Sequence, residues 1–339
     1  MIKIKDIAEK CGLSIASVSK ALHGGSDLNP KTAEYIRNVA KEMGYVPNSS
    51  ARLLKTNRSY NIGVLFVDET SSGLEHEYFS SILNAIKVQA EDLGYDITFI
   101  SHHFRNNYLT FYEHAKYRNV DGVIIASVNF KDPEVVKLVE SEIPTVTIDY
   151  DFNNKSSVVS DNIQGERDIV EYLYRMGHTK IAFIKGDDTS VTQKRTSSFY
   201  RACEENGIEV REEYIKEGRY HLPKVSGEAT RELLALKDRP TVIIFPDDYS
   251  LLGGMTEIEK HGLKIPDDIS VVGYDGIKLS RLIRPIITSY VQDSFEIGRQ
   301  SARKLIEIIE NPKIALAERI VVKGYLQEGQ TVKNLKQYN

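Results

Sequence analysis

Apolar positions in the first 22 residues follow a helical period that is interrupted once. They fit two short crossing helices, which would bury Ile7, Ala8, Cys11, Leu13, Val18 and Leu22 between them. Gly12 suits a turn that needs a positive φ, and Ser14 can cap the second helix. The outward face of that helix would then carry Ile15, Ala16, Ser17 and Lys20. This pattern predicts a helix-turn-helix unit, although a plain helical hairpin would share it.

A third helix and a short polar segment follow. Asn29 and Pro30 are typical of a helix start, with asparagine as the cap and proline at the first helical position. The apolar residues of this helix recur at helical spacing, at Ala33, Ile36, Val39, Ala40 and Met43. Residues 44–48 end the helix. Residues 48–56 are too few for a helix that is stable alone in water.

Beyond residue 58, short apolar runs alternate with amphipathic stretches. Buried strands are predicted at 62–67, 97–100, 123–126, 146–148, 181–184, 242–245 and 269–272. Helices are predicted near 77–94, 107–118, 132–141, 163–177, 194–206, 225–237 and 248–262. Such alternation implies parallel sheets covered on both faces. Because the pattern runs twice, we predict an α/β fold of two doubly wound lobes behind a small all-α domain, with a ligand cleft at the strand ends.

Charge divides the chain at the same place. Residues 1–58 carry ten Lys or Arg against five Asp or Glu, a net charge of +5. The whole chain of 339 residues has a formal net charge of −4, so the remainder is at −9. A basic head on an acidic body favours polyanion binding at one end, although ordinary scatter of charge could also produce it.

Several other classes of protein are not supported. Cys11 and Cys203 have no Cys-x-x-Cys partner and are expected to be reduced core residues. His102 and His103 are neighbours on one strand and would point to opposite faces, which is poor geometry for a metal ion. Neither a dinucleotide-binding glycine motif nor a hydrolase serine motif is present. With no signal peptide and no membrane-spanning apolar stretch, we expect a cytoplasmic protein without metal, cofactor or catalytic residues.

Two motifs near the N-terminus match a known family. They are Val18-Ser19-Lys20 and the run Tyr45-x-Pro47-Asn48-x-x-Ala51-Arg52-x-Leu54. In both, and onward to the C-terminus, the chain resembles the lactose/galactose repressor family of bacterial transcription factors. The resemblance implies a DNA-binding headpiece at 1–47, a hinge at 48–59 and an effector-binding and dimerisation domain at 60–339. Within that domain, similar to periplasmic sugar-binding proteins, lobe 1 would hold about 60–160 and 291–321, and lobe 2 about 161–290 and 322–339.

The resemblance places base contacts in the headpiece. Ile15, Ala16 and Lys20 match positions that face base edges, where lysine can donate to guanine and the apolar side chains can contact thymine methyls. Phosphate contacts are implied for Ser17, Asn29 and Tyr45.

The resemblance also gives the hinge a role. Leu54 matches a leucine that wedges into the minor groove, although it could instead pack on the body of the protein. The other implied hinge contacts are Ala51 at an interface between copies, Arg52 at the groove or a phosphate, and Lys55 at a phosphate.

An effector site is implied between the lobes. Arg195 matches an arginine that points at the effector, and Asp275 matches a cleft carboxylate. A planar arginine fork and two-oxygen carboxylates suit neighbouring hydroxyl groups, so a small sugar is expected. Further candidates, each of which could be an ordinary strand-end or packing residue, are Phe79, Asp149, Asp161, Tyr220 and Asp248.

The sequence therefore predicts a transcriptional regulator, most simply a repressor. It would bind a pseudopalindromic operator in double-stranded DNA as a homodimer, under the control of a small sugar-like effector. One alternative keeps the fold but replaces the sugar with a phosphorylated carrier protein, as in catabolite regulators. Others are a cytoplasmic sugar-binding module and an α/β enzyme acting on a sugar, for which no converging acid, base or nucleophile is found.

Overall fold

A computed structural model describes residues 2–22, 28–46, 58–67, 74, 77–104 and 107–338 of the protein. The chain divides into two compact units, residues 1–59 and residues 60–339. No helix in these described ranges is long and apolar enough to cross a bilayer.

The smaller unit contains three helices, α1 (Ile4–Cys11), α2 (Ile15–Leu22) and α3 (Pro30–Glu42). Gly12 ends α1 with φ +67°, which is the left-handed turn that the sequence predicts. Ser14 Oγ accepts the Ser17 N–H at 3.1 Å, and Asn29 Oδ1 accepts the Lys31 N–H at 3.0 Å. Both predicted caps are confirmed. The helices enclose a core of Ile7, Ala8, Val18, Ala21, Ala33, Ile36, Val39 and Ala40.

The first sheet of the larger unit is parallel throughout. Its strands are β1 (Asn61–Phe66), β2 (Asp96–Ile100), β5 (Gly122–Ser127), β6 (Thr145–Ile148), β7 (Ser156–Ser160) and β13 (Arg319–Val322). Its helices are α4 (Glu77–Asp92), α5 (Phe111–Arg118), α6 (Pro133–Glu140) and α12 (Ser294–Glu310). The strand order is β2–β1–β5–β6–β7–β13. Helices α4 and α12 cover one face and α5 and α6 the other. A hairpin of β3 (His103–Phe104) and β4 (Asn107–Tyr108) lies between β2 and α5 in the chain.

The second sheet has the same design with one antiparallel edge. Its strands are β8 (Ile181–Ile184), β9 (Ile215–Lys216), β10 (Val242–Ile244), β11 (Ser270–Asp275), β12 (Thr288–Val291) and β14 (Tyr325–Gln327). Its helices are α7 (Asn162–Arg175), α8 (Ser190–Glu205), α9 (Pro223–Leu234), α10 (Asp248–Lys260) and α11 (Lys278–Leu282). The order is β9–β8–β10–β11–β12–β14, and β14 runs antiparallel to β12. Helices α7 and α8 cover one face, and α9 and α10 the other.

Burial on both faces explains the apolar runs in the sequence. Neighbouring residues of one strand enter different cores: Ile62 and Val64 lie under α4 and α12, whereas Leu65 faces α5 and α6. A strand buried in this way cannot alternate apolar and polar residues. The predicted fold class, two doubly wound α/β lobes with a small all-α unit, is confirmed. The chain passes from one sheet to the other after β7, after β12 and after β13.

Several predicted boundaries were wrong for local reasons. The helix expected from residue 107 begins at Phe111, because Thr110 caps it and residues 107 and 108 form β4. The helix expected from residue 194 begins at Ser190, where the Thr189 hydroxyl accepts the Thr192 N–H at 3.3 Å. Strands β7 and β12 were not predicted, because their serine- and threonine-containing sequences lack an apolar run.

Candidate functional site

Helix α2 of the smaller unit presents a row of side chains to solvent. Ile15 is 54% exposed, and Ala16 and Lys20 are also exposed. Ser17 is half-buried, and its Oγ lies 2.9 Å from Ser14 Oγ at the start of the helix. An exposed first turn followed by a cation one turn later is what a recognition helix offers to a major groove.

The other residues expected at DNA are only partly described. Asn29 is exposed, and its side chain is engaged in capping α3. Tyr45 is half-buried against the core of the three-helix unit. The hinge residues lie outside the described residues, namely Ala51, Arg52, Leu54 and Lys55. The hinge contacts therefore rest on the sequence alone.

In the larger unit, an unusual backbone conformation occurs at the ends of strands from both sheets. Asp149 directly follows β6, and Asp275 is the last residue of β11. Their φ angles are +59° and +98°, and His221 has a φ of +54°. Residues other than glycine adopt such angles at a cost of about 1–3 kcal/mol, and this strain tends to occur at functional sites. The cleft between the two sheets is therefore the candidate ligand site.

Arg195 of α8 is held in a fixed position at this cleft. Its side chain is buried, with 5% exposure for the residue. Nε donates to Asn162 Oδ1 at 2.8 Å, and Nη1 donates to the Pro246 carbonyl oxygen at 2.9 Å. The guanidinium carbon lies 3.4 Å from the centre of the Tyr274 ring and 5.8 Å from that of Tyr220. The charge is thus oriented before any ligand arrives, which limits the entropy lost on binding.

Asp275 is a carboxylate whose charge interacts with that of Arg195. Gln292 Nε2 donates to its Oδ1 at 2.6 Å, and His221 Nε2 lies 4.0 Å from its Oδ2. Burial and the charge of Asp247 raise the pKa of Asp275, whereas Arg195, His221 and Gln292 oppose the rise. The carboxylate consequently has the Arg195 charge, the Gln292 amide and the His221 ring as neighbours.

Asp149 brings the first sheet into the same site. Its Oδ1 accepts the Ser160 N–H at 2.8 Å, and Tyr78 Oη donates to its Oδ2 at 3.4 Å. Burial raises the pKa of Asp149. Burial also raises the pKa of Tyr78 well above its usual value, and the charges of Asp149, Asp275 and Arg195 all act on its hydroxyl. The four side chains therefore form one electrostatic cluster that spans the two lobes.

Tyr220 closes the cluster on the side of the second sheet. Its Oη lies 2.8 Å from Thr192 Oγ1, and its backbone N–H donates to Asp187 Oδ2 at 2.9 Å. The ring lies against Gly186 so closely that a β-carbon on Gly186 would overlap it. An aromatic face beside Arg195 could cover the apolar side of a sugar ring.

Three other candidates have local partners in the structure. The Phe79 ring packs 5.3 Å from that of Phe66 and 5.2 Å from that of Tyr78, measured between centres. Asp161 Oδ1 accepts the Gln164 N–H at 3.2 Å and caps α7. Asp248 is buried.

Both oxygens of Asp248 bind neighbouring parts of the second lobe. Oδ1 accepts the Ser289 hydroxyl at 2.6 Å, and Oδ2 accepts the Ile277 N–H at 2.9 Å. Burial raises its pKa well above the usual value, and the Asp275 charge adds to the rise. Asp248 thereby connects α10 to β12 and to the turn that follows Asp275.

The lobes contact one another around the site. Glu77 Oε1, at the start of α4, accepts the Lys278 N–H of α11 at 2.6 Å. Ser190 Oγ donates to the Asp149 carbonyl oxygen at 3.0 Å, and Lys194 Nζ lies 3.2 Å from Asp151 Oδ2. A ligand that enters the cleft must therefore break contacts between the lobes or replace them.

Sequence reasoning missed Tyr78, Asn162, His221 and Gln292. Gln292 directly follows Val291, the residue of β12 that pairs with Asp275, so recognising that strand would have placed Gln292 beside Asp275. Asn162 begins α7 next to Asp161, but no sequence pattern connects it with Arg195, 33 positions away. Among the described residues no cluster of His, Cys, Asp and Glu could hold a metal ion.

Comparison with known proteins identifies the class. Residues 3–48 match the family "Bacterial regulatory proteins, lacI family", and residues 170–332 match a periplasmic binding protein-like domain. The probable transcriptional repressor ExuR of Bacillus subtilis is 30% identical, over 95% of each chain. The transcriptional repressor PurR of Mannheimia succiniciproducens is 31% identical, over 99% of this chain and 100% of its own. Catabolite control protein A of Priestia megaterium is 30% identical, over 94% and 97%.

Solved structures show the same fold. A lac repressor dimer bound to operator and the anti-inducer ONPF covers 98% of this chain and 99% of its own, with 25% identity and a TM-score of 0.82. A complex of the transcriptional regulator CelR with cellobiose covers 98% and 100%, with 24% identity and a TM-score of 0.72.

A helix-turn-helix unit and a two-lobed body that resembles periplasmic binding proteins together define a DNA-binding transcriptional regulator. The chain belongs to the lacI family of bacterial regulatory proteins, whose matching members are transcriptional repressors and not enzymes.

Proposed function

We propose that the protein is a cytoplasmic, homodimeric repressor that binds a pseudopalindromic operator and is released from it by a small sugar-like effector. The observation that carries the effector part is the position of Arg195, buried between the lobes and oriented by Asn162 and Pro246. A binding site typically has a few polar groups in fixed positions, and these groups set the orientation of the ligand.

The chemistry of the cleft favours a molecule with several hydroxyl groups. Asp149 and Asp275 can each accept from hydroxyls, whereas the Arg195 fork can donate to hydroxyl oxygens. Carboxylates on both lobes disfavour a strongly anionic ligand. Tyr220 offers an apolar face for a sugar ring. A neutral sugar meets all of these conditions.

The proposed DNA contacts follow from the exposed face of α2. Lys20 would read a base edge in the major groove, and Ile15 and Ala16 would contact thymine methyls. Two copies related by a twofold axis would reach successive major grooves, about 34–36 Å apart. Because the N-terminal segment is basic, we expect operator affinity to fall steeply as salt rises. Binding by a monomer, or binding that is independent of salt, would contradict this part.

The effector is tested by thermal shift followed by a gel shift. Neutral mono- and disaccharides, including cellobiose, are screened for a rise in melting temperature, which binding to the folded state must produce. The sugar that stabilises the protein should weaken operator binding. Arg195→Ala and Asp275→Ala should each remove the response while preserving operator binding. Arg201→Ala, on the same helix but exposed and paired with Glu205, is the matched control.

Calorimetry measures whether the two cleft variants still bind the sugar. If both cleft variants bind the sugar with wild-type affinity, the site lies elsewhere. Control by a phosphorylated carrier protein, the alternative that the sequence leaves open, makes a different prediction. The carrier would then change operator affinity equally in the wild type and in Arg195→Ala, because it would not enter the cleft.

A further inference from the structure

A buried carboxyl group lies beneath the cleft on helix α7. Glu166 is 0% exposed. Within the described residues, neither of its carboxylate oxygens has a hydrogen-bond partner. A buried polar group without partners is rare in native proteins, because its desolvation is not offset. Glu166 therefore calls for a functional explanation.

Helix geometry places this carboxyl on the same face of α7 as the residue that holds Arg195, and the charges of Glu166 and Arg195 act on each other. Residues four apart lie on one face of a helix, so Glu166 shares a face of α7 with Asn162. Asn162 holds Arg195 Nε by the hydrogen bond of 2.8 Å, and α7 packs with α8 in the same core. Thus one face of α7 supplies the amide that orients the guanidinium and, one turn later, an acid.

Side chains of α8 and β11 surround Glu166. The charged and titratable groups that act on it, or on which it acts, are Arg195 and Cys203 of α8 and Tyr274 of β11. Tyr274 lies so close to Gly165 that any β-carbon there would overlap its hydroxyl. Burial raises the pKa of Glu166 to about 8, and the Arg195 charge opposes the rise. The acid can thus lose its proton near neutral pH.

We propose that Glu166 is a positioning residue for Arg195, and that its carboxyl group competes with the effector for the guanidinium charge by gaining or losing a proton. The proposal rests on the proposed function, in which Arg195 binds the effector. With Glu166 protonated, the N–H groups of Arg195 that are not bound to Asn162 and Pro246 remain available to an effector oxygen. When the proton leaves to solvent, the carboxylate attracts the cation from below and weakens its bond to an effector oxygen. By linkage, effector binding takes up a proton.

The first test needs no effector. In protein labelled with ¹³C at glutamate carboxyls, one resonance should titrate with a midpoint above pH 7. In Arg195→Met the midpoint should rise by about one pH unit, because the cation that favours the ionised form is gone. Arg201→Met, on the same helix but exposed, should leave it unchanged. A midpoint near pH 4–5, or no response to Arg195→Met, would overturn the proposal. This measurement does not require a Glu166 variant to fold.

The second test uses cellobiose as the probe. Affinity measured by calorimetry should fall at least threefold between pH 6.5 and pH 9 in the wild type and stay flat in Glu166→Gln. Glu171→Gln, exposed on the same helix, should follow the wild type. Cellobiose that binds with a flat pH profile in the wild type would overturn the proposal. Absence of cellobiose binding would exclude cellobiose as the effector, and the carboxyl titration would then decide the role of Glu166.

Discussion

The three-helix unit and the interlobe cleft bury different kinds of side chains. Among the described residues of the three-helix unit, all that are fully buried are apolar, whereas the cleft buries Arg195, Asp248 and Asp275. The side chains proposed to read DNA are exposed and lie within six consecutive positions. Those proposed to bind the effector come from distant parts of the chain. The comparison teaches that the DNA-reading surface can change with little loss of stability, whereas the cleft links ligand binding to the stability of its lobe.

The largest expected effect is on the stability of the second lobe. Asp248→Ala would leave the Ser289 hydroxyl and the Ile277 N–H without their acceptor in a buried place. We expect the free energy of unfolding to fall by about 2–6 kcal/mol, since each of the two unsatisfied donors costs about 1–3 kcal/mol. Urea denaturation measures it. Asp267→Ala, at an exposed position, is the control. A loss no greater than that of the control would remove the contrast between the regions.

Acid should destabilise the larger unit through His178. Its ring is buried, with Nδ1 2.8 Å from Thr241 Oγ1 and Nε2 3.0 Å from the Lys333 carbonyl oxygen. Burial lowers its pKa from 6.5 to about 4. Between these values the unfolded chain binds a proton that the folded chain does not. The neutral ring of His178 therefore makes its full contribution to the free energy of unfolding above pH 6.5. That contribution is lost as the pH falls toward 4, by about 2–3 kcal/mol.

Denaturation at pH 7 and pH 4.5 tests this assignment. His178→Gln should lose less stability on acidification than the wild type, because glutamine does not titrate. His261 has a half-exposed side chain, so His261→Gln should lose as much stability on acidification as the wild type does. Equal acid losses in all three proteins would place the acid-sensitive group elsewhere.

A smaller effect is expected at the DNA-reading surface. Lys20→Ala should reduce the preference for operator over random DNA by about 1–3 kcal/mol, because a base contact carries sequence information. Lys55→Ala should instead weaken binding to all sequences alike, as loss of a phosphate contact does. Melting temperatures should stay near wild type in both variants. Competition gel shifts measure the preference, and an equal loss on operator and random DNA for Lys20→Ala would refute its assignment.

The smallest expected effect concerns the hinge. Leu54→Ala should weaken operator binding by about 1 kcal/mol and reduce the bend in the DNA, because a side chain wedged between bases stabilises the kink. Circular-permutation gel shifts report the bend. If thermal stability falls sharply while the bend is unchanged, Leu54 packs on the body of the protein. Leu54 would then contribute to stability, as the buried side chains of the cleft do.

Local patterns were sufficient for most elements of the fold. Apolar runs located β1, β5, β6, β8 and β10 to within about two residues, because strands buried on both faces are continuously apolar. Caps such as Ser14 and Asn29 are read from the sequence because their partners lie two or three residues away. Strands β7 and β12 were missed because their burial depends on neighbours that arrive from elsewhere in the chain.

By itself the sequence determined the family, the fold class and the face of α2 that meets solvent. The face of α2 depends on spacing within one helix, the fold class depends on the order of apolar runs along the chain, and the family was recognised by resemblance. It also named Arg195, Asp149 and Asp275, although only through resemblance. The tertiary structure alone decided what holds them. Tyr78 and Asn162 join Arg195 and the two carboxylates only when α4, α7, α8 and the strand ends are packed together. The energies of such buried polar groups depend on distance and solvent exclusion, and spacing along a chain encodes neither.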